Sequence, residues 1–137
     1  MDITYSFDIE GVDWTALKAD LAADDFDNDG RTPEDYRHAA ENSALNCFAY
    51  DGDRIVGTVR AISDGVTNAY IVDVWTQSAY RKRGIARRMM ELTLERLPGQ
   101  RVCLFTDDDA IGFYERLGFH REEFGAYKIA GYYMESG

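Results

Sequence analysis

Lysine is scarce in this chain, with three residues against twelve arginines and sixteen aspartates. Only two cysteines occur, Cys47 and Cys103, and they stand too far apart for any metal or redox spacing. That excludes a disulfide framework and a zinc ribbon, and it leaves both thiols reduced and structural. Proline is equally rare, with two residues, and no Pro/Ser-rich linker divides the chain. No apolar run approaches the roughly 18 residues of a membrane span. The opening Met1-Asp2-Ile3-Thr4-Tyr5 has neither the basic nor the apolar region of a secretory leader, so a cytoplasmic location is expected. Repeats and low-complexity tracts are absent as well.

What is present is acid, unevenly placed. The net charge is −10, and residues 1–80 carry a balance of −11 while residues 81–137 carry +1. Such a chain repels nucleic acid and anionic membranes and suits a cationic substrate. The excess of Asp over Lys also fits a protein kept solvated in high salt.

At 137 residues the chain is long enough for one domain with a real core. Alternation at Ile3, Tyr5, Phe7 and Ile9 predicts a strand. Asp13 is placed to cap a helix bearing Trp14, Leu17 and Leu21, and Thr32-Pro33-Glu34-Asp35 opens a second helix. Leu45 to Tyr50 and Ile55 to Ile62 flank Asp51-Gly52-Asp53 as a hairpin. Ala69 to Thr76 reads as a strand, with Ile71, Asp73 and Trp75 on one face by alternation. Gly84 to Leu97 reads as a helix with Ile85, Met89 and Leu92 inward, stopped by Pro98-Gly99. A strand at 102–106, a short helix from Ala110 to Leu117 and two tail strands between Phe119 and Met134 complete the order. The expected fold is α/β (α+β), one domain over 1–137. Its central sheet is mixed, with about six to seven strands and helices on both faces.

Chemistry concentrates at Arg81-Lys82-Arg83-Gly84-Ile85-Ala86-Arg87-Arg88, which holds five cations in eight residues. A strand, a loop and a small-residue turn lead there into a helix whose first N–H groups have no intrahelical partner. The helix dipole adds about half a positive charge at that point, so the turn is an anion site. One glycine rather than three, and no following Lys-Ser/Thr, separate it from a nucleotide-binding glycine-rich loop. Later comes Asp107-Asp108-Asp109-Ala110-Ile111-Gly112-Phe113-Tyr114-Glu115-Arg116-Leu117-Gly118-Phe119. Its aspartates suit a helix cap, Gly118 a helix end, and Tyr114 is a phenol able to give a proton to a leaving group.

These two segments, in this order with one helix and one strand between them, resemble the GCN5-related N-acetyltransferase superfamily. That family binds the pyrophosphate of acetyl-CoA on an Arg/Gln-x-x-Gly-x-Gly/Ala turn and carries a later Asn-x-x-Ala-x-x-Phe-Tyr-Glu-x-x-Gly-Phe segment. The resemblance implies transfer of an acetyl group from acetyl-CoA to a primary amine by direct attack in a ternary complex. It implies that Val74, Trp75 and Thr76 offer backbone groups to the pantetheine arm. The segment Arg81, Lys82, Arg83, Gly84, Ile85, Ala86 and Arg87 would hold the pyrophosphate, and Tyr114 would protonate the departing thiolate. Two positions depart from the family pattern. Ala86 replaces a frequent glycine, and Asp107 replaces the family asparagine, trading an amide near the cofactor for a charge.

Two roles stay open for Asp73: base or cation anchor near the acetyl group, directly or through water, or a paired structural carboxylate. Trp14, Phe26, Tyr36 and Trp75 are core aromatics by default, and the resemblance would let some of them line an acceptor pocket. His38 and His120 lack a suitable partner in sequence. Asp25-Phe26-Asp27-Asn28-Asp29-Gly30 matches half a calcium loop, but Tyr36 stands where the bidentate glutamate belongs, so no metal is expected. The blander reading is an acidic loop that attracts amines. The amine is expected to be cationic: a small amine, an amino sugar or a protein amine. The aromatic tail Tyr127 to Met134 could pair two copies as a homodimer. A catalytically silent acyl-CoA sensor of the same fold, or a calcium-binding interaction module, are the competing functions.

Overall fold

The computed structural model describes residues 2–27, 29–123 and 125–131. β1 (Ile3–Ser6) is followed by α1 (Trp14–Ala23) and α2 (Pro33–Glu41). The hairpin strands β2 (Leu45–Asp51) and β3 (Arg54–Ser63) lead to β4 (Asn68–Thr76). A 3-10 turn at Ser78–Tyr80 precedes α3 (Ile85–Glu95), β5 (Arg101–Cys103) and α4 (Ile111–Arg116). The local signals explain the boundaries. Asp13 accepts a hydrogen bond from the Ala16 amide at 3.0 Å and caps α1. Thr32 and Asp35 close a reciprocal capping box at α2, with Pro33 in the first turn, where its missing N–H costs nothing.

The strands form one sheet in the order β1-β2-β3-β4-β5. The first four pair antiparallel, and β4 pairs parallel with β5 across the α3 crossover. Helices cover both faces, as expected. Under α3 and α4 lie Cys47, Ala49, Val59 and Ile71, with Met89 and Met90 of α3 in the same cluster. On the other face Leu17 and Leu21 of α1 pack on Phe48, Ile55 and Trp75. The period-two alternation of β2 sends Cys47 and Ala49 one way and Phe48 the other. Gly57 lets α3 sit close, since a Cβ there would meet Met89 Cε at 2.7 Å. The inward stripe of α3 is Ile85, Met89, Met90 and Thr93, with Leu92 only half-buried rather than central.

Five strands are found among the described residues, fewer than the expected six to seven. Residues 119–123 and 125–131 form none. His120-Arg121-Glu122-Glu123 breaks the alternation a strand would need, and β5 ends at Cys103, leaving little edge to pair with. The remainder of the expected tail strands, residues 132–134, which are also the last three positions of the expected pairing segment, lies outside the described residues. No helix among the described residues is long and apolar enough to cross a membrane.

Candidate active site

The parallel pair opens almost at once. β4 and β5 share three rungs, ending at Tyr70–Cys103, while β4 runs on to Thr76. From Val72 onward, β4 therefore has β3 on one side and, among the described residues, no strand on the other. A strand edge of this kind can accept an extended ligand by main-chain hydrogen bonds.

A bulge decides which side chains face which way. Arg60 pairs with Asp73 but Ala61 pairs with Ile71, so Val72 is the extra residue. Simple alternation places Ile71, Asp73 and Trp75 on one face, and the structure corrects this. Ile71 and Val74 pack under α3, whereas Asp73 and Trp75 turn toward α1 and α2. One added residue shifts the parity of everything after it.

The loop into α3 has two left-handed residues, Lys82 at φ 64° and Gly84 at φ 78°. For Lys82 this costs about 1 kcal/mol or more, strain of a kind that gathers at ligand-binding loops. Gly84 adopts it freely, and nothing lies within 4 Å of the position a Cβ would take. The chain then enters α3 with the amides of Ile85, Ala86 and Arg87 in its first turn, and Arg88 N–H is the first to bond back, to Gly84 at 3.0 Å. Arg81 reaches back from this loop. Its Nε donates to the Thr76 carbonyl at 3.2 Å, and its guanidinium lies 3.6 Å from Asp24. Arg83 sits over the Tyr80 ring at 5.6 Å, and Arg87 pairs with Glu91 along the helix.

Asp24, which follows α1, gave no signal in the sequence beyond its acidic neighbours. Its carboxylate accepts from the Trp75 indole at 3.0 Å and from the Ser78 amide at 2.9 Å. The Ser78 hydroxyl, then the indole and that amide, hold its pKa below the usual carboxylate value. It thereby ties the α1–α2 loop to β4 and to the turn before Arg81.

Tyr114 is 9% exposed and sits edge-on to Phe113 and Phe119, with ring centroids 5.0 and 5.9 Å away. Burial, then the charge of Asp107, raises its phenol pKa. Asp107 accepts from the Ala110 amide at 2.8 Å, the capping role its sequence suggests. Tyr114 and Asp107 line an open hollow of about 740 Å³ between β5, α4 and the chain after Gly118. His120 lines it too, while His38 is exposed on α2.

Asp73 lies in a different cavity, of about 190 Å³, between α1, α2 and the sheet. The structure thus brings Asp73 together with Trp14, Phe26 and Tyr36, and not with Tyr114. Asp73 Oδ2 accepts from Arg60 Nε at 2.9 Å, and Arg60 also donates to Ser43 Oγ at 3.1 Å. Arg60 was missed in the sequence, though a charged residue inside the apolar run Ile55 to Ile62 was its visible mark. The half-calcium loop lies over this cavity, and its carboxylates are already engaged. Asp27 lies 3.9 Å from Lys18, Asp29 pairs with Arg31, and both acids are largely buried. Among the described residues no cluster of three or more potential metal ligands occurs.

Comparison with known proteins agrees with this architecture. Residues 14–119 match the model of the acetyltransferase (GNAT) family. A GNAT-family acetyltransferase of Streptococcus pneumoniae superposes with a TM-score of 0.78 at 26% identity, covering 94% of this chain and 98% of that one. GCN5-related N-acetyltransferase 1 of Arabidopsis thaliana is 36% identical over 69 residues, 48% of this chain and 35% of the relative. Serotonin N-acetyltransferase 2 of rice is 31% identical over 96 residues, 65% of this chain and 48% of the relative. The chain thus spans between about a third and a half of these two plant relatives. The matched family model and the superposed structure place this fold among the acetyltransferases. The chain belongs to the GNAT acetyltransferase family.

Proposed function

We propose that this protein transfers an acetyl group from acetyl-CoA to a primary amine in a ternary complex. The observation that carries the reading is the left-handed Lys82–Gly84 turn, which opens α3 beside the end of β4, whose β5 side pairs with no strand among the described residues. There, Gly84 and the first-turn amides of Ile85, Ala86 and Arg87 suit a pyrophosphate, with Arg81, Lys82, Arg83 and Arg87 supplying positive charge. Backbone groups of Val74, Trp75 and Thr76 suit the amides of the pantetheine arm. Asp107, which caps the turn before α4, lines the same hollow as Tyr114 and would face the cofactor from there.

In the reaction the amine nitrogen attacks the thioester carbonyl, a C–N bond forms and the C–S bond breaks. The amine proton passes to Asp73 or to a water beside it, and the sulfur leaves as a thiolate stabilised by the Tyr114 hydroxyl. An ordinary thiol titrates near 8.5 and a phenol near 10, so full transfer from Tyr114 is uphill by about 2 kcal/mol or more. Tyr114 therefore acts first as a hydrogen-bond donor, and the proton lost by the amine finally resides on the thiol. Positioning and backbone hydrogen bonds supply most of the rate.

Calorimetry with acetyl-CoA tests the cofactor side. Wild type is expected to bind and Gly84→Glu to lose binding, and retained affinity in that variant overturns the loop assignment. Thioester loss on adding amines separates a transferase from a silent acyl-CoA-binding module.

A further inference from the structure

Resting on that reading, we propose that the acceptor is a small arylalkylamine carrying a hydrogen-bonding ring substituent, held in the cavity between α1, α2 and the sheet. Size comes first. At about 190 Å³ the cavity lies below the roughly 300–1,000 Å³ of pockets for drug-sized ligands, and it is open on one side, so the part of the acceptor it takes up is about ten heavy atoms. Only the reacting end of an oligosaccharide or a protein segment would fit inside it.

The walls come second. Trp14, Phe26, Tyr36 and Phe48 line the cavity with Leu17 and Leu21. Trp14 and Phe48 meet edge-on at 6.2 Å, and Phe26 stacks on Trp75 at 6.5 Å. Flat, rigid walls of this kind reward a ring. A polyamine would place its second and third ammonium groups against them with no partner.

Charge comes third, and it revises the expectation of an acidic, amine-attracting loop. Asp27, Asp29 and Asp73 all line the cavity, and each already faces a cation, Lys18, Arg31 and Arg60 respectively. The site is close to balanced and has no field for a polycation. Asp73 binds Arg60 through Oδ2, and no hydrogen bond reaches Oδ1 from the described residues, which leaves one acceptor for one ammonium.

The last observation is Tyr36. It lines the same cavity, and its hydroxyl is buried without a hydrogen-bond partner among the described residues. An orphaned buried hydroxyl is a cost to the fold unless a ligand completes it. A ring hydroxyl or carbonyl on the acceptor supplies that partner.

The test follows loss of thioester absorbance with tyramine, phenethylamine, spermidine, glucosamine and a peptide with a free N-terminus. Both aryl amines are expected to exceed the other three at least tenfold in kcat/KM. Tyramine is expected to exceed phenethylamine about fivefold, chiefly through KM, as one buried hydrogen bond implies. In Tyr36→Phe that ratio falls to about one while the melting temperature does not drop, because no internal bond is lost. Preference for spermidine, glucosamine or the peptide overturns the acceptor class and leaves the transferase reading standing. An unchanged tyramine-to-phenethylamine ratio in folded Tyr36→Phe overturns the role of the hydroxyl and with it the proposal. No turnover with any amine overturns the transferase reading itself.

Discussion

Replacing Asp24 tests whether one carboxylate joins the two halves of the site. It is 10% exposed and accepts two well-formed hydrogen bonds, from the Trp75 indole and the Ser78 amide. Hydrogen bonds to a charged group contribute about 1.5–3 kcal/mol each. The Arg81 partner is 58% exposed, so that ion pair adds at most about 1 kcal/mol. Asp24→Ala strands two N–H donors and is expected to cost about 3 kcal/mol, near 10 °C in melting temperature for a domain of this size. Asp24→Asn keeps an oxygen in place and is expected to cost about half as much. The pH dependence has a definite sign. A carboxylate whose folded pKa is lowered stabilises fully above its unfolded value, here 3.8, and loses that contribution as pH falls through the folded value. The gap between wild type and Asp24→Ala in urea denaturation should therefore be flat from pH 7 to about 5 and shrink below about 4. A cost under about 0.5 kcal/mol, or a gap that widens on acidification, refutes the linkage.

Two further outcomes concern Tyr114 and the cysteines. Tyr114→Phe should lower turnover at least about tenfold while circular dichroism and melting stay near wild type, and unchanged kinetics removes the hydroxyl from the mechanism. Burial pushes the Cys47 thiol up to about 11, whereas Cys103 is exposed. Ellman titration at pH 8 should count one thiol in the native protein and two in urea; two fast thiols without denaturant would contradict the packing under α3.

Much of the architecture was legible because its signals are local. Thr32-Pro33-Glu34-Asp35 specifies its own capping box, and Gly84 is the residue a left-handed helix entry requires. The two acetyltransferase segments stand out because their glycines and aromatics keep a fixed spacing. What escaped was set by distant partners. The Val72 bulge depends on how β4 registers against β3, so alternation along one strand misplaces Ile71 relative to Asp73. Arg60 and Asp73 are thirteen residues apart and become a pair only when the strands align. Asp24 finds Trp75 and Ser78 more than fifty residues away, beyond any local pattern. The acidic loop looked like an open electrostatic lure because sequence counts charges but does not show that Lys18 and Arg31 fold against it.

The extra residue at Val72 has a consequence for how the family scaffold can vary. Pairing Val72 into the ladder as an ordinary rung, rather than bulging it out, would restore strict odd–even alternation along β4 and rotate the strand's far half by one face. Val74 would then turn into the cavity beside α1 and α2, while the Asp73 carboxylate and the Trp75 indole would turn toward Met89 and the apolar layer beneath α3. Composition, helix caps and the anion-binding turn would all be unaltered. Sidedness in this protein is thus recorded by the pairing register of β4 against β3 rather than by the identity of its residues. Point substitutions tune the cavity beside α1 and α2, whereas ironing out the bulge with Val72 retained turns it inside out.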